Sequence, residues 1–392
     1  MSRGLAPGDT ALSDDSWQII DPTMPTLSHG WHPCIVIYAM ASLIAALSSL
    51  PLAERLAFAA CVVDRAEQDT GVPFTRHLSE SCTDEERQSY AVTSQELLTA
   101  LNRGRGVDLV GVVVQGDLSL DELPLVDIAT VRSPSSVLRS AIQSKNLQRI
   151  RVVTGPVSIQ DSFVRGTLMT KLKEGLLVVQ GPVDMTGTTF ERTVDLSHTA
   201  FLAPVDFSDA ILLSEGMFIR ALFTQAARFE RTAFGTHTRF HKATFAEEVT
   251  FLRAGFSGLA EFLEVVFEKE TSFSQTYFKK GVGFSGSRFR GTLDFSEATF
   301  QREAFFTFTI FERNAYFRRS TFRSTADFSD AEFRGADDFS KALFDAQPRF
   351  ARTKVSGQRP SPGGLHDARF LYAIVAAILI FTVIFVVVLR KG

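Results

Sequence analysis

Residues 229–256 read FERTAFGTHTRFHKATFAEEVTFLRAGF, a stretch in which phenylalanine returns after alternating steps of five and six residues. The same register extends from Met185 to Phe350 and holds 31 positions, of which 28 are Phe. The exceptions, Met185, Leu196 and Leu212, are also large and apolar. The true period is therefore 11 residues, and such a repeat has to be explained before any local motif is interpreted.

A period of 11 divided into five and six fits neither a heptad nor an amphipathic helix, whose apolar positions recur at intervals of three and four. It fits short extended segments joined by turns, in which the residue two before an inward side chain shares its face. A narrow tube would require that residue to be small. At the positions that follow a five-residue step it is small or β-branched: Thr188, Thr199, Ala210, Ala221, Thr232, Ala243, Ala254, Val265, Thr276, Ser287, Ala298, Thr309, Ser320, Ala331 and Ala342.

Units such as Phe295-Ser-Glu-Ala-Thr-Phe300 and Phe328-Ser-Asp-Ala-Glu-Phe333 resemble the pentapeptide-repeat family, in its Phe-rich branch. The resemblance implies an all-β solenoid, a right-handed quadrilateral β-helix with the Phe column stacked inside. The six-residue step departs from the family's regular five. This departure affects how regular the corners between strands are, and it does not affect the prediction of a solenoid. Two repeat units would make one coil, so residues 185–350 would form about seven and a half coils, roughly 35 Å in length.

Composition divides the chain into segments around this repeat. The charges are nearly balanced, with a net charge of −3, which favours no particular class of partner. We predict a disordered segment over 1–33, a signal peptide or membrane-associated apolar helix over 34–59, an N-terminal cap region over 60–104, a β-helix over 105–352 that is strongest over 185–350 and interrupted over 124–148, a flexible tether over 353–368, and a transmembrane helix over 370–389.

A short helix is predicted over 93–103, with Ser94 as its N-cap and Leu97, Leu98 and Leu101 on one face. A solenoid end exposes its core and its unpaired strand edges, so we interpret this helix as a cap over that end. A second helix is predicted near Ser136–Ser144, within the interruption.

The run from Cys34 to Leu50 is free of charge and closed by Pro51, and Ala57-Phe58-Ala59 provides a cleavage-like motif. The acidic segment before the run argues against a signal peptide, although a start at Met24 or Met40 would remove that objection. The alternative is a buried helix over 35–63.

Two cysteines downstream of this run, Cys61 and Cys82, form a candidate disulfide, because a pair that follows an export signal is typical of an oxidising compartment. Two unrelated thiols remain the alternative. The pair is not C-x-x-C, so redox chemistry and structural zinc are poorly supported.

The segment 370–389 contains no charged residue and is long enough for a helix to cross a lipid bilayer. We predict a single-pass anchor with the rod on the exocytoplasmic side, which the candidate export signal and cysteine pair favour. Three basic residues, Lys354, Arg359 and Arg369, lie between the repeat and the span, and two, Arg390 and Lys391, follow it. This difference does not decide the orientation, so a tail-anchored protein with a cytoplasmic rod is the alternative.

Charge along the repeat argues against nucleic-acid partners. Residues 185–352 hold 22 Asp and Glu against 21 Lys and Arg, with both signs interspersed. An imitation of DNA requires a strongly acidic surface, and a nucleic-acid binder requires a basic stripe.

Candidate catalytic chemistry is sparse. His237 and His241 have an H-x-x-x-H spacing, but metal binding at that spacing needs a helix, and this segment is predicted to be extended. Neither a nucleophile elbow nor a phosphate-binding glycine loop is present. We therefore predict a protein that is not an enzyme, with no catalytic, cofactor-binding or metal-binding residues.

Four residues form a candidate partner-contact patch: Phe305, Phe308, Ile310 and Tyr316. The two phenylalanines are additional to the register and have outward parity, and exposed aromatic residues often mark contact surfaces. Packing within turns is the alternative.

Together these features predict a membrane-anchored, non-enzymatic scaffold that presents a rigid surface to an unknown protein partner, with a homodimer formed by end stacking as a further candidate. The alternative function, which the resemblance brings with it, is an inhibitor or protector of a nucleic-acid enzyme such as a topoisomerase by DNA mimicry.

Overall fold

The computed structural model describes residues 60–66, 72–128, 136–144, 146–170 and 175–356. The chain divides into two units, Met1–Phe58 and Ala59–Gly392, and the described residues belong to the second. They form an all-β right-handed solenoid of about 11 turns with few helices. The predicted segments 1–33, 34–59 and 370–389 lie outside the described residues, as does most of the predicted tether. Among the described helices none has the length and apolar character to cross a bilayer.

Four largely parallel sheets form the sides of the solenoid, and we call them faces A to D in the order in which the chain visits them. Face A consists of Val63–Ala66, Phe74–Leu78, Val107–Val110, Val157–Gln160, Val183–Asp184, Val205–Asp206, Ala227–Arg228, Val249–Thr250, Thr271–Ser272, Leu293–Asp294, Ala315–Tyr316 and Asp337–Asp338. Face B consists of Val92–Thr93, Val113–Gln115, Phe163–Val164, Thr189–Phe190, Ile211–Leu212, Ala233–Phe234, Gly255–Phe256, Tyr277–Phe278, Thr299–Phe300, Thr321–Phe322 and Leu343–Phe344.

The other two sheets complete the four-sided coil. Face C consists of Leu118–Ser119, Leu168–Met169, Val194–Asp195, Glu215–Met217, His237–Arg239, Leu259–Glu261, Val282–Gly283, Ala304–Phe305 and Ala326–Asp327. Face D consists of Leu125–Asp127, Arg149–Val153, Leu177–Val179, Thr199–Phe201, Leu222–Phe223, Thr244–Phe245, Val266–Phe267, Arg288–Phe289, Ile310–Phe311, Glu332–Phe333 and Lys354–Val355.

Each regular coil is two repeat units long, as the Phe spacing predicts. Strand partners on one face are therefore separated by two units, as Val205 is from Ala227 and Phe256 from Phe278. Every register phenylalanine from Phe190 to Phe339 is buried. The rings stack along each face and meet the rings of neighbouring faces edge-on, an arrangement that the quadrupoles of aromatic rings favour.

Small residues fill the space beside the rings, and every residue named above for its small or β-branched side chain is buried. Most of the buried hydroxyls among them bond to carbonyl groups of the previous coil, as Thr232 donates to Phe207 O at 2.8 Å and Thr276 to Phe251 O at 3.0 Å. Ser320 instead donates to Phe317 O in its own corner at 2.8 Å, and the Thr199 hydroxyl has no hydrogen-bond partner among the described residues. A carbonyl acceptor within reach therefore makes a hydroxyl acceptable at most of these positions.

The two step lengths correspond to two kinds of corner. Within 185–350 every residue with positive φ lies in a five-residue corner, from face A to B or from face C to D, and the six-residue corners contain none. The left-handed residue turns the chain sharply, so the small residue that follows it enters the core. A turn hydrogen bond closes the corner, as from Ala254 N to Phe251 O at 2.9 Å.

The N-terminal part carries helices α1 (Asp84–Ser89) and α2 (Ser94–Asn102). Helix α2 lies where the sequence predicts one, but its N-cap is Thr93 rather than Ser94. The Thr93 hydroxyl accepts a bond from Glu96 N at 3.3 Å, and the Glu96 carboxylate accepts one from Thr93 N at 2.7 Å. This reciprocal pair satisfies two amides that a serine one position later would not reach. The buried side of α2 is formed by Leu97, Ala100 and Leu101.

The predicted interruption over 124–148 lies between the first strand of face C and the strand Arg149–Val153 of face D. It contains the face D edge strand Leu125–Asp127, which pairs antiparallel with Arg149–Val153, and helix α3 (Ser136–Ser144), and the 3-10 turn Leu120–Glu122 precedes it. Helix α3 covers the outer side of face D, where Leu138 and Ile142 cluster with outward residues of the early coils: Ile150, Leu176, Val178, Ala200 and Leu222.

Candidate functional site

The outward residues of faces A and C include regularly placed aspartates. Each lies directly before a core residue, and its carboxylate accepts the amide N–H two positions on, as Asp206 does from Ser208 at 2.8 Å and Asp294 from Ser296 at 2.8 Å. These aspartates stabilise turns. Neither outward column is acidic throughout, because face A also presents Arg228 and face C presents Arg239.

The left-handed corner residues form two columns that run along the solenoid. One is Gly187, Asp209, Arg231, Arg253, Gln275, Glu297, Arg319 and Lys341, and the other is His198, Arg220, Lys242, Glu264, Gly286, Phe308, Asp330 and Arg352. Several successive members pair, as Asp209 does with Arg231 and Asp330 with Arg352, each through two 2.6 Å hydrogen bonds. Such exposed pairs contribute little stability each, but they neutralise charge locally.

The two histidines with metal-like spacing contact different glutamates. His237 lies 3.3 Å from Glu261, and His241 lies 3.3 Å from Glu264. The hydrogen bond from His241 is the main cause of the lowered pKa of Glu264. In the part of the chain that the structure describes, no group of three or more His, Cys, Asp or Glu residues could hold a metal ion.

The sequence-predicted patch is divided among several sides of the coil. Phe305 lies on face C and is 41% exposed, Phe308 lies at the corner between faces C and D and is 64% exposed, and Ile310 begins the next strand on face D. Tyr316 lies on face A, where its hydroxyl accepts a bond from Asn314 at 3.0 Å and the Arg318 guanidinium lies 4.1 Å from its ring centre. The first three therefore follow one another around a corner, and Tyr316 belongs to another side.

The structure joins Cys61 to Cys82 through a disulfide, with Cα atoms 4.4 Å apart. Cys82 is buried and Cys61 is half-buried. The bond lies beside the antiparallel pair of strands Val63–Ala66 and Phe74–Leu78, at the edge of face A. It therefore ties the edge strand to its neighbour.

A groove of about 920 Å³ runs along the corner between faces B and C, over several coils, and the sequence analysis did not anticipate it. It is lined by small residues that include Ala233, Gly235 and Gly258, and by the larger apolar residues Leu213 and Leu259. The available signal in the sequence is a set of small residues in the six-residue corners of three successive coils, Gly235, then Ser257 and Gly258, then Gly281.

One inward position of face A holds a carboxylate. Asp337 occupies the place that Val205, Val249, Leu293 and Ala315 fill in earlier coils, and its Oδ2 has no hydrogen-bond partner among the described residues. Burial raises the pKa of Asp337. The Asp337 carboxyl therefore binds its proton more tightly in the folded state than in the unfolded chain. The free energy of unfolding falls as the pH rises from the unfolded-state pKa of this group through its folded-state pKa.

Replacing Asp337 with alanine is expected to increase the free energy of unfolding at pH 7 by about 0.5–1 kcal/mol, a modest gain because the residue is only half-buried and solvent screens part of the penalty. The gain should shrink as the pH falls below the pKa of the folded state, since the wild-type carboxyl is then protonated. Chemical denaturation of both proteins between about pH 4 and pH 7 measures it, a range that brackets an ordinary aspartate pKa.

The neighbouring Asp338 is the matched control. Burial opposes the shift, but hydrogen bonds from Arg318 and Ser340 lower the pKa of Asp338 overall. Asp338→Ala should therefore reduce stability at pH 7. A loss of stability in Asp337→Ala would contradict the assignment of a destabilising carboxylate.

Comparison with known protein families gives a match to part of the repeat. Residues 253–299 and 295–343 match the family model described as pentapeptide repeats (9 copies). No curated protein and no solved structure matches the chain. The matched residues form the most regular coils of the solenoid, where the Phe register has no exception.

Proposed function

We propose that this protein is a non-enzymatic scaffold, whose rigid β-helical surface binds another protein around the corner formed by Phe305, Phe308 and Ile310. Pentapeptide-repeat solenoids generally serve structural or protein-binding roles, which fits this proposal. The observation that carries it is the exposed aromatic side chain of Phe308, at a corner position that is Gly or polar in the other coils.

Phe308 is a bulky aromatic residue with a φ of 58°. For a residue with a Cβ atom, this left-handed conformation costs roughly 1–2 kcal/mol. Glycine, which has no Cβ atom, avoids this cost, and asparagine adopts the conformation more readily than most residues. The other members of its column are Gly or polar, so the fold does not require a phenylalanine there. An exposed ring next to Phe305 and Ile310 is suited to bury apolar surface of a partner, and exposed aromatic residues of this kind often mark contact surfaces.

The backbone beneath this corner is held rigidly. Phe308 N donates to Ser329 O at 3.2 Å, and Phe306 and Phe311 on either side are buried in the stacked core. The partner would therefore meet a pre-organised surface and lose little entropy in ordering it.

Charge supports this proposal over DNA mimicry. The outward aspartates of faces A and C accept hydrogen bonds from turn amides, and many corner carboxylates pair with arginine, so the charge pattern does not resemble a run of phosphates. The homodimer by end stacking has a separate basis, because Phe344 and Phe350 in the last coil are only half-buried.

The contact corner can be tested by photo-crosslinking in cells, with p-benzoylphenylalanine at position 305. A discrete adduct with a different protein is expected, and Phe308→Asn should abolish it. Asparagine tolerates the left-handed conformation, so Phe308→Asn should also raise stability, by about 1 kcal/mol. Loss of the adduct with unchanged or increased stability would separate binding from folding.

Tyr316→Asn provides the control, because Tyr316 lies on face A, and it should leave the adduct intact. An adduct that survives Phe308→Asn, or no adduct from position 305, would contradict the proposed contact corner.

We further propose that residues 370–389 anchor the scaffold in a lipid bilayer, with the rod on the exocytoplasmic side, and that 34–59 serves as a signal peptide or apolar anchor. The absence of charge in 370–389 and the Cys61–Cys82 disulfide support this topology. Helix α2, whose Leu97 and Leu101 join the main core, is proposed to cap the solenoid.

If the rod is exocytoplasmic, protease added to intact cells should cleave it, and the Cys61–Cys82 disulfide should be detected in the absence of reductant. Protection until lysis, with free thiols, would favour a cytoplasmic rod.

A further inference from the structure

The outward column of face B differs from those of the other faces because it contains no charged residue over nine consecutive strands. We call it the neutral column, and it consists of Phe163, Thr189, Ile211, Ala233, Gly255, Tyr277, Thr299, Thr321 and Leu343. The corresponding columns of faces A, C and D include Arg228, Arg239 and Arg288.

The large apolar members of the neutral column are accessible. Phe163, Ile211, Tyr277 and Leu343 are each at least 40% exposed. Face D also has apolar outward residues, but those of its early coils lie beneath helix α3, and in its later coils Val266 and Ile310 alternate with Arg288 and Glu332. No described element covers face B in this way, and an exposed surface with several large apolar residues and no charge in its outward column is suited to interaction.

We propose that the neutral column is a homodimer interface, in which two copies pack face B against face B in antiparallel orientation with Gly255 at the two-fold axis. In such an interface the residue at the axis meets its own copy, and residues on one side meet those on the other. A charged residue at the axis would face a like charge. Among the four faces, face B is the one whose outward column avoids this.

Side-chain size in the column is complementary about Gly255. Strands at equal distances on either side of it would face each other, and the resulting pairs are Ala233 with Tyr277, Ile211 with Thr299, Thr189 with Thr321, and Phe163 with Leu343. A large residue thus meets a smaller one near the axis. A parallel pair would instead set Tyr277 against Tyr277 and Phe163 against Phe163, with unfilled space at Ala233 and Gly255.

The groove supplies the space that this packing needs. A Cβ atom added to Gly255 would meet nothing within 4 Å, so the centre of the face is open. Tyr277 of the second copy, opposite Ala233, would enter the groove that Ala233 and Gly235 help to line. The corner on one side carries Arg231 and Arg253, and the other side carries Lys280 and Arg302 from the groove lining. The surface therefore has an apolar centre and a polar rim, as specific interfaces do.

The area agrees with a modest but specific dimer. Nine strands spaced by about 4.8 Å span about 40 Å, and a face about 12 Å wide would bury roughly 500 Å² on each copy. The total of about 1,000 Å² lies at the lower limit for specific interfaces, so we expect dissociation in the micromolar range.

The first test measures the oligomeric state of the full-length chain in detergent by sedimentation. Every variant carries Cys34→Ser, which removes the cysteine that is not part of the Cys61–Cys82 disulfide. The unmodified face should give a dimer of the 43.3 kDa chain. Gly255→Glu and Gly255→Arg should each weaken the dimer at least about tenfold, because like charges meet at the axis. An equimolar mixture of the two should restore it. Val266→Glu, at an outward position of face D, is the control and should remain dimeric.

The second test determines orientation with a short bis-maleimide cross-linker. Thr189→Cys and Thr321→Cys should not form cross-linked dimers when each is alone, but a mixture of the two should, because these positions face each other only in the antiparallel pair. Cross-linking of each variant with itself would establish the parallel arrangement and overturn the proposal.

Two further results would also overturn it. A monomer at concentrations well above the micromolar range would mean that another partner or another segment occupies the face. A dimer that Gly255→Glu leaves intact would place the interface elsewhere, at the end of the solenoid for example. Neither result depends on the Phe308 corner, so failure here is distinguishable from failure of the proposed scaffold function.

Discussion

Replacing Phe251 with alanine is expected to lower the free energy of unfolding of the central coils by about 3–5 kcal/mol. The Phe251 ring is fully buried and stacks on Phe229 and Phe273, with centroids 4.9 and 4.6 Å away. It also meets Phe240 and Phe262 edge-on, at 5.6 and 5.4 Å. Truncation leaves a cavity that neighbouring coils cannot close, because their own stacking sets the coil spacing.

Hydrogen exchange is the suitable measurement for this variant. A solenoid is held together by contacts between neighbouring coils, so unfolding need not be an all-or-none process. Protection should fall most in the strands Ala227–Arg228, Val249–Thr250 and Thr271–Ser272 of face A, and less in distant coils. Phe305→Ala is the control, because its ring is outward, and should cost less than about 1 kcal/mol. Equal effects of the two substitutions would contradict the stacked core as the source of stability.

The second large effect is expected at a glycine in a six-residue corner. A Cβ atom at Gly258 would lie 1.8 Å from the Thr236 carbonyl oxygen and 2.2 Å from its carbon. These are backbone atoms of the preceding coil, so neither can move without displacing the paired strands. Gly258→Ala should therefore cost about 3 kcal/mol, at the upper end for overpacking.

Gly255, three residues earlier, is the matched control. It lies in the strand Gly255–Phe256, and an added Cβ meets nothing within 4 Å. Gly255→Ala should raise stability by about 0.5 kcal/mol, because alanine loses less backbone entropy on folding. Thermal unfolding at low protein concentration compares the two variants without a contribution from association. A neutral Gly258→Ala variant would show that the corner can relax.

The repeat could be predicted in detail because it depends on local rules. The alternation of Phe spacing anticipated the length of the coil, the buried rings and the small partners such as Ala254 and Thr276. Gly104 and the leucines of 97–101 were sufficient to locate helix α2, and loss of the register was sufficient to locate the interruption. The N-cap was assigned to Ser94 rather than Thr93 because both are good caps, and only the geometry distinguishes them.

The surfaces could not be predicted in the same way. Inward or outward parity follows from a strand's alternation, but it does not tell which of four sides an outward residue occupies. The sequence analysis therefore grouped Tyr316 with Phe305 and Phe308, although they lie on different faces. It also missed Asp337, whose place two residues before Phe339 gives it inward parity, because the i−2 position was read only after five-residue steps and Phe339 follows a six-residue step.

What this sequence determined by itself is the repeating unit: its length, its core and the places where it is interrupted. These features depend on residues a few positions apart, and the same pattern of residues recurs in each coil. The tertiary structure decided which residues become neighbours from one coil to the next, and so created the corner of Phe305, Phe308 and Ile310, the disulfide at the edge of face A and the neutral column of face B. The physical reason is that stacking brings residues from different coils to about 4.8 Å spacing, the distance between hydrogen-bonded strands, whatever their separation in the chain.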